Sequence, residues 1–70
     1  MRVHVSDPRA VPDLLASLLR GACVATRIDR NICEVVHLHA TDESEAKIEL
    51  HFFLRAWQCR YYGVEAVLID

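Results

Sequence analysis

The apolar residues of this chain change spacing along its length, from every second residue to every third or fourth and back again. That switching constrains the fold more than any single motif. Val3 and Val5 alternate with Arg2, His4 and Ser6, the period of a strand with one buried face. Ser6-Asp7-Pro8 follows, with Asp7 suited to capping a helix and Pro8 to its first position. Leu14, Leu15, Leu18 and Leu19 then recur at helical spacing. Pro12 falls inside this segment, so either the regular helix starts near it or the helix bends there. Gly21 stops the helix.

Residues 22–28 read as a second strand and residues 32–38 as a third, with Asp29-Arg30-Asn31 between them as a turn. Thr41-Asp42-Glu43-Ser44-Glu45 opens a second helix. Asp42 and Glu45 stand at capping-box spacing, and the acids suit the positive helix start. The helix is expected to run from about Asp42 to Tyr61 and to end at Gly63, with a last strand from Val64 to Ile69. The order is strand, helix, strand, strand, helix, strand. Two right-handed crossovers then lay both helices on one face of a four-stranded antiparallel sheet, an α+β architecture with expected strand order 4-1-3-2.

This βαββαβ arrangement resembles the ferredoxin-like α/β plait, a topology shared by amino-acid-binding ACT domains and heavy-metal-associated domains. The resemblance covers nearly the whole chain but is one of topology, which carries little about function. After the first strand, metal-carrying members have a CxxC loop; here Asp7-Pro8-Arg9-Ala10 stands in its place. Nor does Asp7-Pro8 supply the glycine-bearing turn of ACT domains, so no ligand residue is carried over from either group.

The chain has 70 residues, enough for one domain, residues 1–70, and close to the lower limit for independent stability. Chains of this size commonly gain stability from disulfides, a metal or a partner subunit. The three cysteines, Cys23, Cys33 and Cys59, are odd in number and contain no CxxC pair. They read as reduced thiols in a cytoplasmic protein rather than as a disulfide framework. No signal peptide is visible, and the apolar runs, such as Val67-Leu68-Ile69, are far short of a membrane span. The chain starts at Met1 and shows no tag, so it is read as a complete small protein.

A net charge of −2 argues against a nucleic-acid partner, as does the lack of aromatics in the first and third strands, where RNA-recognition modules stack bases.

Strand parity decides which side chains reach the uncovered sheet face. In the third strand, inward Glu34 would bury a carboxylate, so Glu34 is placed outward with Val36, and Cys33, Val35 and His37 inward. A two-residue turn at Arg30-Asn31 sets Arg27 opposite Glu34 and sends Val24, Thr26 and Ile28 toward the helices. The open face then carries His4, Ala25, Arg27, Glu34 and Val36. In the last strand Val64, Ala66 and Leu68 face the helices, and Val67 and Ile69 face outward. An apolar patch on so small a domain points to association.

In the second helix, Ala46, Leu50, Phe53, Leu54, Trp57 and Tyr61 share the core face. A second stripe of Ile48, Phe52, Ala56 and Cys59 lies nearly opposite, and it either packs on the first helix or contacts another subunit.

Function reads most simply as a non-enzymatic interaction or ligand-binding module with no cofactor. It self-associates as a homodimer through the open face (His4, Arg27, Glu34, Val36, Val67, Ile69) or through Ile48, Phe52 and Cys59, and a small molecule or another protein is a further occupant. An alternative is a small enzyme or accessory subunit whose pocket forms between two subunits around His4 and Glu34. A weaker alternative is metal binding at His37 and His39, read as lying on one face of the third strand. With inverted parity, Cys33 and His4 would join them.

Overall fold

The computed structural model describes residues 1–69; residue 70, the last of the expected domain, lies outside them. The elements follow in the order β1 (Arg2–Val5), a 3₁₀ turn (Pro8–Ala10), α1 (Val11–Arg20), β2 (Cys23–Arg27), β3 (Ile32–His37), α2 (Glu43–Arg60) and β4 (Ala66–Leu68). The four strands form one antiparallel sheet in the order β2-β3-β1-β4, the expected order read from its other edge.

Pro8 and Pro12 explain the shape of the first crossover. Asp7 caps the 3₁₀ turn, its carboxylate accepting the Arg9 backbone N–H at 2.9 Å, and the α-helix proper starts at Val11, with Pro12 in its first turn. Of the two expected arrangements, the structure has the regular helix starting beside Pro12. Asp42 caps α2 by accepting the Glu45 backbone N–H at 2.8 Å.

Val3 and Val5 of β1, Cys23 of β2, Cys33 and Val35 of β3 and Ala66 of β4 all point to one side. There they form a single buried cluster with Leu14 and Leu18 of α1 and Leu50, Leu54 and Trp57 of α2. Both helices therefore cover the same sheet face. In α2 the expected core stripe is found, with Ala46, Leu50, Leu54 and Trp57 buried and Phe53 and Tyr61 partly so.

One register expectation is overturned. The β2–β3 loop contains three residues, 29–31, because the Ile28 N–H donates to the Ile32 carbonyl at 2.9 Å. Thr26, not Arg27, lies opposite Glu34, and Arg27 lies opposite Cys33. A slip of one residue exchanges the faces of a strand. Val24, Thr26 and Ile28 therefore stand on the open face, and Ala25 packs against the core. Arg27 is removed from the open face: its guanidinium bends to the turn and donates to the carbonyls of Arg30 at 2.7 Å and Pro8 at 3.2 Å.

Candidate functional site

Backbone register arranges the open face in rows across the strands. Val24 stands opposite Val36 in one row. In the next, Thr26 stands opposite Glu34 and Glu34 opposite Arg2, and the Ile69 N–H joins Arg2 through its carbonyl at 2.9 Å. In the last, Ile28 is paired with Ile32 as described, Ile32 stands opposite His4, and His4 opposite Val67. The face is thus a charged row bordered on both sides by aliphatic rows. Val24, Ile28, Val36, Val67 and Ile69 are each between 44% and 54% exposed, left uncovered by the described residues. Glu34 and Val36 project as the sequence parity predicts, and so do Val67 and Ile69.

The electrostatics of the middle row differ from expectation. Glu34 Oε2 lies 3.4 Å from Arg2 Nε, and Oε1 lies 3.7 Å from the Met1 ammonium. His4 neighbours Ile32 and Val67 rather than Glu34, and the two do not form the pair that would orient an imidazole for acid–base work. The Arg2–Glu34 ion pair is not aligned as a hydrogen bond. Glu34 Oε2 is shielded from solvent and has no hydrogen-bond donor among the described residues. This face therefore presents the Arg2 and Glu34 side chains as a neighbouring cation and anion, incompletely satisfied, between apolar rows.

His37 and His39 do not share a strand face. β3 ends at His37, and His39 follows in the bend toward α2. His37 turns inward with only 10% of its side chain exposed. Its Nδ1 accepts the backbone N–H groups of His39 at 3.2 Å and Ala40 at 3.1 Å, and its Nε2 lies 2.6 Å from Glu49 Oε2. Both ring nitrogens are committed to shaping the β3–α2 connection. Among the described residues no cluster of three metal-ligating side chains occurs.

The outer stripe of α2 does not pack on α1. Ile48 is 58% and Phe52 66% exposed, and Cys59 is exposed with them. Cys23 and Cys33 are buried, and burial pushes both thiols above their ordinary range.

Two clefts among the described residues stand out, and neither is lined by His4 or Glu34. One of about 270 Å³ lies where β3 meets the start of α2, beside Val36, His37 and Asp42. The other, about 320 Å³, separates α2 from β4.

Sequence reasoning missed Arg2, Val24, Thr26 and Ile28 as members of the open face. Arg2 was readable, since it shares parity with His4; the other three were lost with the slipped turn. Among the described residues no helix is long and apolar enough to cross a membrane. Compared with protein-family models, curated proteins and solved structures, the chain matches none.

Proposed function

We propose that this chain is a ferredoxin-like module that works as a homodimer, joined through the open sheet face. The observation that supports this reading is the row pattern, because it is self-complementary. A two-fold axis parallel to the strands, passing between β3 and β1, exchanges those two strands between subunits while keeping each row in place. Glu34 then meets the partner's Arg2, and Arg2 the partner's Glu34. Ile28 meets the partner's Val67, and Ile32 the partner's His4. A two-fold axis across the strands instead sets Glu34 against Glu34, which like-charge repulsion disfavours.

Face-to-face sheets pack about 10 Å apart, close enough for these rows to interdigitate. The small size of the chain fits the same reading, since a second copy doubles the apolar surface that can be removed from water. Free thiols and the lack of any paired cysteines among the described residues agree with a reducing, cytoplasmic setting.

Light scattering across a concentration series into the high micromolar range tests the proposal. A dimer in the wild type that is lost in Val36→Lys with Val67→Lys, and kept in Phe52→Lys, supports it. A wild-type monomer throughout that range overturns it. Loss in Phe52→Lys alone moves the interface to the outer stripe of α2.

A further inference from the structure

A cleft lies between α2 and β4. His51, Leu54, Arg55 and Gln58 of α2 form one wall, and Ala66, Val67 and Leu68 of β4 the other. Its volume of about 320 Å³ is at the small end of the range for small-molecule sites, and its lining is apolar with a few polar groups, as such sites are.

Those polar groups include the Arg55 guanidinium, which is a donor only. Arg2, Arg9 and Lys47 stand beside acids, whereas Arg20, Arg27, Arg30, Arg55 and Arg60 form no ion pair among the described residues, and of these Arg55 lines this cleft. Arg55 has no acidic partner among the described residues, and no acid lines the cleft. β4 adds backbone donors. Glu65 and Ile69 exchange hydrogen bonds with Ser6 and Arg2 on the β1 side, so strand alternation turns the N–H groups of Ala66 and Leu68 outward. Gln58 Nε2 already reaches the Ala66 carbonyl at 3.0 Å from α2, which places that outward edge of β4 against the cleft.

From this arrangement we infer that the α2–β4 cleft binds a small organic carboxylate. Its apolar body lies on Leu54 and Leu68, and its carboxylate meets Arg55 and the β4 edge. A carboxylate is the anion that a planar guanidinium and adjacent N–H groups hold best in a site of this size. The assignment does not require the dimer, because Arg55 and Gln58 are on α2, away from the open sheet face, and Val67 alone is common to the cleft and the proposed dimer contact.

The probe is phenylacetate, with phenylacetamide as its neutral counterpart, followed by amide NMR on the intact chain. Expected are saturable shifts at Ala66, Val67, Leu68 and the Gln58 side chain with phenylacetate, and none with phenylacetamide. Arg55→Gln is expected to weaken binding about tenfold or more with the melting temperature unchanged. Equal response to acid and amide, equal affinity in Arg55→Gln, or shifts scattered over the surface overturns the inference. So does a response confined to an acetylated tripeptide with a free carboxyl end, which assigns the cleft to peptide termini. Light scattering on the same samples reports the dimer separately.

Discussion

Trp57 donates its indole N–H to the carboxylate of Asp13 at 3.0 Å, tying α2 to α1 above the sheet. Trp57 is fully buried and stacks on Tyr61 with ring centroids 4.7 Å apart, whereas Asp13 sits at the rim with Ser17 also within reach at 3.4 Å. The indole N–H holds the Asp13 carboxyl below the usual carboxylate range, helped by Tyr61 and Ser17, and the same carboxylate pushes the Tyr61 phenol up.

A group whose folded pKa is depressed stabilises the fold above its unfolded value, about 3.9 for Asp, and loses that contribution as pH falls through the lower folded value. Asp13→Asn keeps an acceptor but does not titrate; Asp13→Ala leaves a buried donor without one. Melting temperature at neutral pH is therefore expected to fall in the order wild type, Asp13→Asn, Asp13→Ala. Between about pH 5 and pH 2 the wild type should lose more stability than Asp13→Asn. Trp57 fluorescence reads both effects, and parallel acid curves for the two proteins would remove the assignment.

Most of the architecture was readable because burial imposes periodicity: Leu50, Leu54 and Trp57 at helical spacing, Val3 and Val5 at strand spacing, and Glu34 too costly to bury. What failed was the count of residues in one turn. Asp29-Arg30-Asn31 suits a two-residue or a three-residue loop, and the choice depends on Asn31, whose side chain donates to the Val5 carbonyl at 2.7 Å. That contact joins the turn to a strand 26 residues away in the chain and leaves no local trace. The α2–β4 cleft was unreadable for a similar reason. Arg55 and Gln58 look like ordinary exposed helix residues until β4 is placed beside them.

The proposed two-fold axis makes Arg2 and Glu34 a reciprocal pair across subunits, and charge reversal tests this directly. Arg2→Glu turns the middle row wholly acidic, and Glu34→Arg turns it wholly basic. Each single variant is expected to self-associate about tenfold or more weakly than the wild type, with the loss smaller at high salt. Mixed together, the two variants restore acid-to-base contacts at both positions and should form a heterodimer near wild-type strength. Sedimentation of the mixture measures this, and two monomers that ignore each other would exclude this axis even if the wild type dimerises.

His37 accepts two backbone N–H groups at Nδ1, so the neutral ring that fits the β3–α2 connection carries its proton on Nε2, directed to Glu49. Nitrogen NMR should find the Nε2–H tautomer; an Nδ1–H ring contradicts this geometry. His37→Ala leaves the His39 and Ala40 N–H groups without their acceptor and is expected to cost about 1–3 kcal/mol in chemical denaturation. Bound zinc should not alter the wild-type tautomer, because the ring nitrogens already have partners.

Gly21 was expected to end α1 through backbone freedom, yet its φ is −92° and the left-handed residue is Ala22 at φ 64°. Gly21 has a packing role instead: a Cβ there would stand 3.1 Å from Cε2 of Phe53. Gly63 is the reverse case, with φ 82° and nothing within 4 Å of an added Cβ. Gly63→Ala should therefore cost about 1–2 kcal/mol from backbone strain alone. Ala22→Gly removes strain of similar size but adds freedom to the unfolded chain, for a net gain of about 0.5 kcal/mol. Gly21→Ala acts through the ring it displaces, so pairing it with Phe53→Leu should recover part of the loss, whereas the same second change should not rescue Gly63→Ala. Urea denaturation of the two glycine variants, each with and without Phe53→Leu and beside Phe53→Leu alone, distinguishes the two mechanisms: rescue at both glycines, or at neither, would mean that Phe53 is not what excludes a side chain at Gly21.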